Sequence, residues 1–197
     1  EGGGLNWSRT LPAAFRQARG YDLIPWLPVI AGRIVGDRDR SNRFLADLRK
    51  TIAELMAEQH YAALTAIAEQ RGLGTHCEAG GPHVGPFDAI SNLGHQTSPM
   101  GEFWVPSPHR PTEQGRFFMK TPASAAHLYG KRVVCGEGFT SVGLHWNDSL
   151  WSAQKPTFDH EACAGLNLTY WHAFTCSPAS AGIPGQEYFA GTHFNPQ

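Results

Sequence analysis

The clearest hydrophobic pattern in the chain predicts a long helix in its first third. Apolar residues recur there at helical spacing, at Leu45, Leu48, Ile52, Leu55 and Met56. Asp39 or Ser41 suits the N-cap position, because a short polar side chain there accepts a free backbone N–H. The pattern continues to Gly72, which fits the left-handed position after a helix end, although a break near Gln59 and His60 would divide it into two helices.

The residues before this pattern predict a shorter helix and a connector. Residues 10–19 have a helix-forming composition that ends at Gly20, whereas residues 21–35 are dense in proline, isoleucine and leucine. We interpret the second stretch as a packed, partly irregular connector.

The rest of the chain alternates short apolar runs with helical patterns. The predicted strands are residues 73–78, 100–105, 132–137 and 168–174. Helices are predicted at residues 116–129, with the regular part starting at Pro122, and at residues 158–166. Residues 79–99 and the tail from Thr175 are rich in glycine, proline and polar residues without periodicity, so we expect loops there.

This alternation predicts an α/β fold with parallel strands and right-handed helical crossovers. Four strands, and a fifth that ends at Glu1, fall short of the eight in a closed (β/α)8 barrel. We therefore expect residues 1–197 to form the C-terminal half of a TIM-type barrel, a partial catalytic domain of a larger multidomain protein. Such a chain by itself would expose sheet edges, so we expect it to associate or to be poorly soluble.

Four glutamates stand where strand-like runs give way to glycine, aromatic or small residues: Glu1, Glu78, Glu102 and Glu137. Because active sites of barrels lie at the C-terminal ends of the strands, these carboxylates are predicted to face one crevice. Paired carboxyl groups in a crevice are typical of glycosidases. Glu102 and Glu137 lie in apolar runs, where an unpaired charge is costly, so a functional role is favoured for them over a structural one.

Composition limits the class of protein further. The 197 residues are 41% hydrophobic and 17% charged, which suffices for one sizeable core. The net charge of −1 and the lack of a Lys/Arg-rich block favour neither nucleic acid nor an anionic membrane as a partner. No apolar stretch reaches the roughly 18 residues of a membrane-spanning helix. The cysteines show no paired spacing and are interpreted as structural: Cys77, Cys135, Cys163 and Cys176.

Several short motifs follow one another along the chain. They are GYDL at 20–23, WLP at 26–28, PMGEFW at 99–104, SAAHLYGK at 124–131, EGFT at 137–140 and GTHF at 191–194. In their joint order and spacing these motifs resemble the α-L-rhamnosidases of glycoside hydrolase family 106. The resemblance extends over nearly the whole chain.

The resemblance implies a multidomain enzyme, periplasmic or secreted, whose (β/α)8 barrel hydrolyses α-L-rhamnosides of oligosaccharides with inversion, aided by calcium. It implies Glu1 as the general acid and Glu137 as the general base. Glu102 belongs to the same carboxylate cluster and is expected to share in catalysis and, with Glu137, in holding calcium. Glu78 is expected to help shape the sugar site.

Three further side chains are candidates for contact with a sugar. Trp104 and Trp146 lie at a predicted strand end or in a following loop, where an indole can stack on the apolar face of a sugar ring, although most tryptophans are core residues. His172, near the end of the last predicted strand, is a candidate hydrogen-bond partner for sugar hydroxyls.

Three alternatives stay open from the sequence. A retaining glycosidase would use a closer carboxyl pair, with one glutamate as nucleophile. A zinc-dependent hydrolase would use His76, Glu78, His83 and His95, although no HExxH or similar spacing supports it. A non-catalytic, sugar-binding barrel would bind glycans without cleaving them.

Overall fold

The computed structural model of the protein describes residues 7–79, 87–105, 119–140, 154–172, 175–182 and 185–186. These residues form a helical N-terminal part and a parallel sheet flanked by helices. None of the helices described is both long enough and apolar enough to cross a bilayer.

The N-terminal part is entirely helical. Its elements are α1 (Leu11–Arg19), a 3-10 turn (Ile24–Trp26), α2 (Leu27–Ile30), α3 (Arg38–Met56), a π-helical turn (Ala57–Ala62) and α4 (Ala63–Glu69). Its buried core consists of Leu11, Phe15, Leu23, Val29, Phe44, Leu48 and Ile52. The predicted first helix, the packed connector and the long helix are therefore confirmed.

The N-cap of α3 is Asp37, so the prediction of Asp39 or Ser41 was wrong. Asp37 has an extended backbone, and its Oδ1 accepts a hydrogen bond of 2.8 Å from the backbone N–H of Arg40. Asp39 lies inside the first turn, and the buried Ser41 hydroxyl donates to the Asp37 carbonyl at 2.9 Å. The helix begins earlier because the first residue able to reach a free N–H already does so.

The predicted break near Gln59 and His60 is a π-helical turn rather than an interruption. A π turn accommodates an extra residue without ending the helix, and such turns are frequent near functional sites. Here it contains Tyr61, whose hydroxyl donates to the Glu78 carbonyl at 3.0 Å. After α4 the chain turns at Gly72, which has the predicted left-handed conformation with φ of 70°.

In the part of the chain that the structure describes, the sheet contains three parallel strands in the order β1 (Met100–Trp104), β2 (Cys135–Thr140) and β3 (Leu168–Trp171). Helices α6 (Lys120–Leu128) and α7 (Lys155–Ala164) connect them. The α/β class with parallel strands and helical crossovers is thus confirmed, as a three-stranded sheet.

Strand β2 starts three residues later than the apolar run at 132–137 predicts. The Val134 N–H donates to the Asn167 side-chain oxygen at 2.8 Å, and the Asn167 N–H donates to the Val134 carbonyl at 3.1 Å. This asparagine therefore satisfies backbone groups that a strand ladder would otherwise bind.

Residues 73–78, predicted as a strand, form only a parallel bridge between Glu78 and Met100. Just before this bridge, threonine side chains take the place of backbone partners in the strand-to-strand hydrogen bonds. The Thr75 N–H donates to Thr97 Oγ1 at 3.0 Å, and the Thr97 N–H donates to Thr75 Oγ1 at 3.2 Å. The segment still runs beside the start of β1, and this position brings the Glu78 carboxylate close to those of Glu102 and Glu137.

Two short helical elements lie where loops were predicted. Helix α5 (Ala89–Gly94) is capped by Asp88, whose Oδ1 accepts from the N–H groups of Ile90 and Ser91. A 3-10 turn (Ala179–Ala181) occurs in the tail. All four cysteines are free thiols.

The helices pack on one face of the sheet over a hydrophobic core. This core consists of Phe103, Val105, Met119, Ala123, Ala126, Val134, Phe139 and Leu166. Two glycines of β2 make the close packing possible: a Cβ at Gly136 would lie 2.7 Å from Leu166, and one at Gly138 would lie 2.6 Å from Phe103. Glu137 stands between them, so strand alternation directs its side chain to the opposite face.

Candidate functional site

A row of side chains crosses the sheet on the face away from the helices. Glu102 of β1 is in register with Glu137 of β2, which is in register with Tyr170 of β3. Partners in parallel strands project to the same side, and Phe103 and Val105 occupy the helix side of β1. The two glutamates are therefore neighbours on the open face.

Glu78 joins these two residues. One carboxylate oxygen from each of Glu78, Glu102 and Glu137 lies within 4.8 Å of the others, and all three residues are half-buried. The structure thus brings together three of the four glutamates that the strand-end pattern singled out. Their individual roles stay predictions.

Crowding changes the acidity of Glu78. Burial, and then the charges of Glu102 and Glu137, raise the pKa of Glu78 from 4.5 to about 7. Its Oε1 is buried and has no hydrogen-bond partner among the described residues. Near neutral pH the cluster therefore favours binding either a proton or a cation at Glu78.

A β-bulge lies at the end of β2, directly after the glutamate. Phe103 pairs with Gly138 but the next residue, Trp104, pairs with Thr140, so Phe139 is the extra residue. Phe139 has φ of 67°, an uncommon conformation for a non-glycine residue. Its ring is held edge-to-face against Phe103 at 5.0 Å. Bulges of this kind re-aim side chains next to active sites.

The bulge gives Glu137 two polar neighbours. The Thr140 hydroxyl donates to Glu137 Oε1 at 3.4 Å, and His172 Nδ1 lies 3.3 Å from the same oxygen. Thr140 Oγ1 and His172 Nδ1 are themselves 3.0 Å apart. His172, predicted as a sugar contact, thus lies at the site, immediately after β3 and within reach of Glu137.

The other predicted site residues differ in how far the structure places them. Trp104 is half-buried, and strand alternation puts it on the same face of β1 as Glu102. Glu1, the predicted acid, and Trp146, the second predicted sugar contact, lie outside the described residues.

The cluster of Glu78, Glu102 and Glu137 suits a hard cation such as calcium. Calcium binds carboxylate and carbonyl oxygens, and this cluster offers oxygen ligands only. The buried, unpartnered Glu78 Oε1 and the repulsion that raises the Glu78 pKa are both features that a bound cation would relieve. The residues present therefore fit such an ion.

The zinc alternative gains no such support. Among the described residues, the one group of three or more potential metal ligands contains no histidine, so neither His76 nor His95 joins Glu78 in it. The His76 ring instead stacks on Tyr170 at 4.4 Å, and its Nδ1 lies 3.3 Å from the Met100 sulfur. His83 lies outside the described residues.

The sequence pattern did not identify Thr140 or Tyr170 as parts of the site. Thr140 is three residues after Glu137, so simple strand alternation assigns the two to opposite faces. Only the bulge reverses this assignment. Tyr170 could have been found from the register of β2 and β3, since it lies opposite Glu137.

A parallel α/β sheet with three carboxylates clustered on one face is an arrangement typical of hydrolases that use carboxyl groups for acid–base chemistry. The comparison with known families is more specific. The whole chain, residues 1–197, matches the model of glycoside hydrolase family 106, described as α-L-rhamnosidase, and the chain belongs to this family.

Two relatives agree with this assignment. The solved structure of a rhamnosidase from Novosphingobium sp. PP1Y superposes with a TM-score of 0.76 and is 33% identical, covering 86% of this chain and 16% of that one. A protein named "Putative beta-glucuronidase" from Formosa agariphila is 32% identical over 99% of this chain and 16% of its own length. The chain thus spans about a sixth of each relative.

Proposed function

We propose that this chain carries the central carboxylates of an inverting glycoside hydrolase that cleaves terminal α-L-rhamnosides. The observation that carries the proposal is the convergence of Glu78, Glu102 and Glu137, in a chain that belongs to an α-L-rhamnosidase family. The sheet is proposed to be part of a (β/α)8 barrel whose other strands lie outside residues 100–171.

Glu137 is the proposed general base. Its carboxylate removes a proton from water while the water oxygen bonds to the anomeric carbon and the glycosidic bond breaks. The general acid gives its proton to the departing oxygen. The products are an alcohol and free rhamnose of inverted configuration, so one water is consumed for each bond cleaved.

The acid must come from outside the cluster. An inverting pair needs carboxyl groups about 6.5 to 9.5 Å apart to leave room for water. Oxygens within 4.8 Å of one another are too close for that arrangement. Glu1, which the family resemblance indicates, is the proposed acid.

Calcium is proposed to bind at the cluster, through Glu102 and Glu137 and with Glu78 close by. When bound, it would offset the mutual repulsion of the carboxylates and supply positive charge for sugar hydroxyl groups. Glu102 then orients the ion and the sugar, and Glu137 remains the group that accepts the proton.

The charge of the site favours rhamnose over glucuronic acid. Three carboxylates line the crevice, and among the described residues their one ion-pair partner is His172. The +2 charge of bound calcium still leaves three ionised carboxylates with a net charge of −1, which disfavours the carboxylate of a glucuronide, whereas rhamnose is uncharged and carries a methyl group at that position. Trp104, and Trp146 outside the described residues, are proposed to contact its apolar face.

Hydrolysis of matched substrates tests the proposal. The full-length protein should cleave an aryl α-L-rhamnoside in the presence of calcium and leave the aryl β-D-glucuronide intact. Faster turnover of the glucuronide would contradict the assignment. Binding of rhamnosides without any cleavage would instead support the non-catalytic alternative.

A retaining mechanism is the second candidate, because carboxylate oxygens that lie within 4.8 Å of one another are nearer to the roughly 5 to 5.5 Å of a retaining pair than to the spacing of an inverting pair. The first product anomer, followed by proton NMR before mutarotation, separates the two mechanisms. Inversion predicts β-L-rhamnose from an α-L-rhamnoside. Initial release of the α anomer would show that the mechanism is retaining rather than inverting.

A further inference from the structure

We propose that Thr140 and His172 are positioning residues that hold Glu137 in the orientation its role as base requires. The inference rests on the proposed function and adds two residues to it. Both contact one oxygen of Glu137, with Thr140 Oγ1 at 3.4 Å and His172 Nδ1 at 3.3 Å from Oε1.

Counting hydrogens fixes the direction of the chain of hydrogen bonds. An ionised Glu137 accepts only, and a threonine hydroxyl has a single hydrogen to donate. If that hydrogen goes to Glu137 Oε1, the contact of 3.0 Å between Thr140 and His172 needs a hydrogen on His172 Nδ1. The proposal therefore requires His172 to be the donor at Nδ1, so that Thr140 is oriented towards the carboxylate.

The backbone holds both residues in place. The His172 N–H donates to the Gly138 carbonyl at 2.9 Å, which ties the end of β3 to β2 beside Glu137. Thr140 reaches this face only because Phe139 takes the left-handed conformation. Phe139 is kept there by Phe103 and by Trp171, whose ring stacks on it at 4.4 Å.

Such support matters because, among the described residues, no other side chain hydrogen-bonds to Glu137. Its side chain is 33% exposed, and Glu78 and Glu102 repel it from the other side of the cluster. Donors on Oε1 leave Oε2 to accept from the attacking water. A base whose carboxylate rotates freely would meet the water in productive geometry less often, which lowers kcat more than binding.

Two substitutions of Thr140 test whether its hydroxyl group orients Glu137. Thr140→Val removes the donor at nearly constant shape, and Thr140→Ser keeps it. Since general-base catalysis contributes about 10² to 10⁴-fold, loss of orientation should lower kcat about 10- to 100-fold in Thr140→Val, with KM little changed. Thr140→Ser should recover most of this loss. Equal kcat in Thr140→Val and Thr140→Ser would overturn the inference.

The His172 pair identifies the nitrogen that acts. The amide of Asn places a donor near the position of Nδ1, whereas that of Gln reaches the position of Nε2. We expect His172→Asn to retain more of kcat than His172→Gln. The reverse order would mean that the histidine acts through Nε2, as a direct sugar contact would, and would contradict the proposed role.

The assays use the full-length protein, with rates normalised to folded protein from the thermal transition of each variant. Rhamnoside cleavage by the wild type with an undiminished kcat in Thr140→Val refutes the positioning role and leaves the proposed function standing. Absence of cleavage by the wild type refutes both.

Discussion

Glu78 is the residue whose environment departs most from that of a carboxylate in water. Burial and two neighbouring negative charges raise its pKa to about 7, and its Oε1 lacks a hydrogen-bond partner among the described residues. In the folded protein it holds a proton that the unfolded chain would already have released near pH 4.5.

This pKa shift predicts a loss of stability as the pH rises in metal-free protein. Between about pH 4.5 and pH 7 the folded state binds more protons than the unfolded state at this site, so unfolding becomes easier with increasing pH. Glu78→Gln should therefore raise Tm relative to wild type at pH 8 and change it little at pH 4. The exposed Glu69→Gln is the matched control. A Tm difference that is no larger at pH 8 than at pH 4 would contradict the shift.

Bound calcium should offset the loss of stability that Glu78 causes at high pH. Protons and a cation compete for the cluster, so added calcium should raise the wild-type Tm more at pH 8 than at pH 5. The increase should be smaller in Glu78→Gln, which has one charge fewer. A calcium effect of equal size in both proteins at both pH values would place the ion elsewhere.

Glu102 and Glu137 could be predicted from the sequence, because an unpaired acidic residue in an apolar strand is costly. The parallel register of β1 and β2 then brings the two carboxylates to one face. Thr140 could not. Its place beside Glu137 depends on the bulge at Phe139, which is stabilised by Phe103 and by Trp171 from elsewhere in the chain. No local pattern contains that information.

Among the elements, α3 shows how a helix start is decided by the first side chain that can bind a free N–H. Asp37 caps the helix through Arg40, while Asp39, two residues later, is inside the first turn. The two aspartates are therefore a matched pair of similar exposure and the same charge.

Replacing each aspartate by alanine separates a cap from a first-turn charge. Asp37→Ala should cost about 1 kcal/mol of unfolding free energy, because it removes a capping hydrogen bond. Asp39→Ala should cost about 0.3 to 1 kcal/mol at most, because only its interaction with the helix dipole is lost. Urea midpoints of the two variants measure the difference. A larger loss of unfolding free energy in Asp39→Ala than in Asp37→Ala would mean that Asp39 is the N-cap.

Element boundaries were less predictable than element types. The apolar run 132–137 predicted a strand, but Asn167 binds the backbone of Val134 and delays the start of β2. Helix α5 has six residues, too few for a hydrophobic period, and only Asp88 signals its start. In both cases a single polar side chain decides the boundary.

At the scale of the whole molecule, the described sheet ends in an exposed edge strand. The last strand, β3, has exposed fractions of 42% at Leu168, 39% at Tyr170 and 52% at Trp171. An apolar strand at a sheet edge is a template for pairing with another chain. The described sheet thus ends in an edge strand that could pair with a further strand.

The 197-residue chain produced by itself should therefore associate. Size-exclusion chromatography with light scattering should give a mass above that of one chain, or much of the material should be insoluble. A charged substitution at the edge, Tyr170→Lys, should shift the distribution towards monomer. A monomeric wild-type chain with one cooperative unfolding transition would contradict the half-barrel interpretation.

Glu137, within the cluster of three glutamates, is the proposed general base for cleavage of an α-L-rhamnoside. The most direct measurement is kcat for an aryl α-L-rhamnoside in full-length Glu137→Gln, beside the exposed control Glu69→Gln. We expect kcat to fall roughly 10² to 10⁴-fold in Glu137→Gln with substrate binding retained, and to stay at the wild-type value in the control. Near-normal kcat in Glu137→Gln would contradict this role.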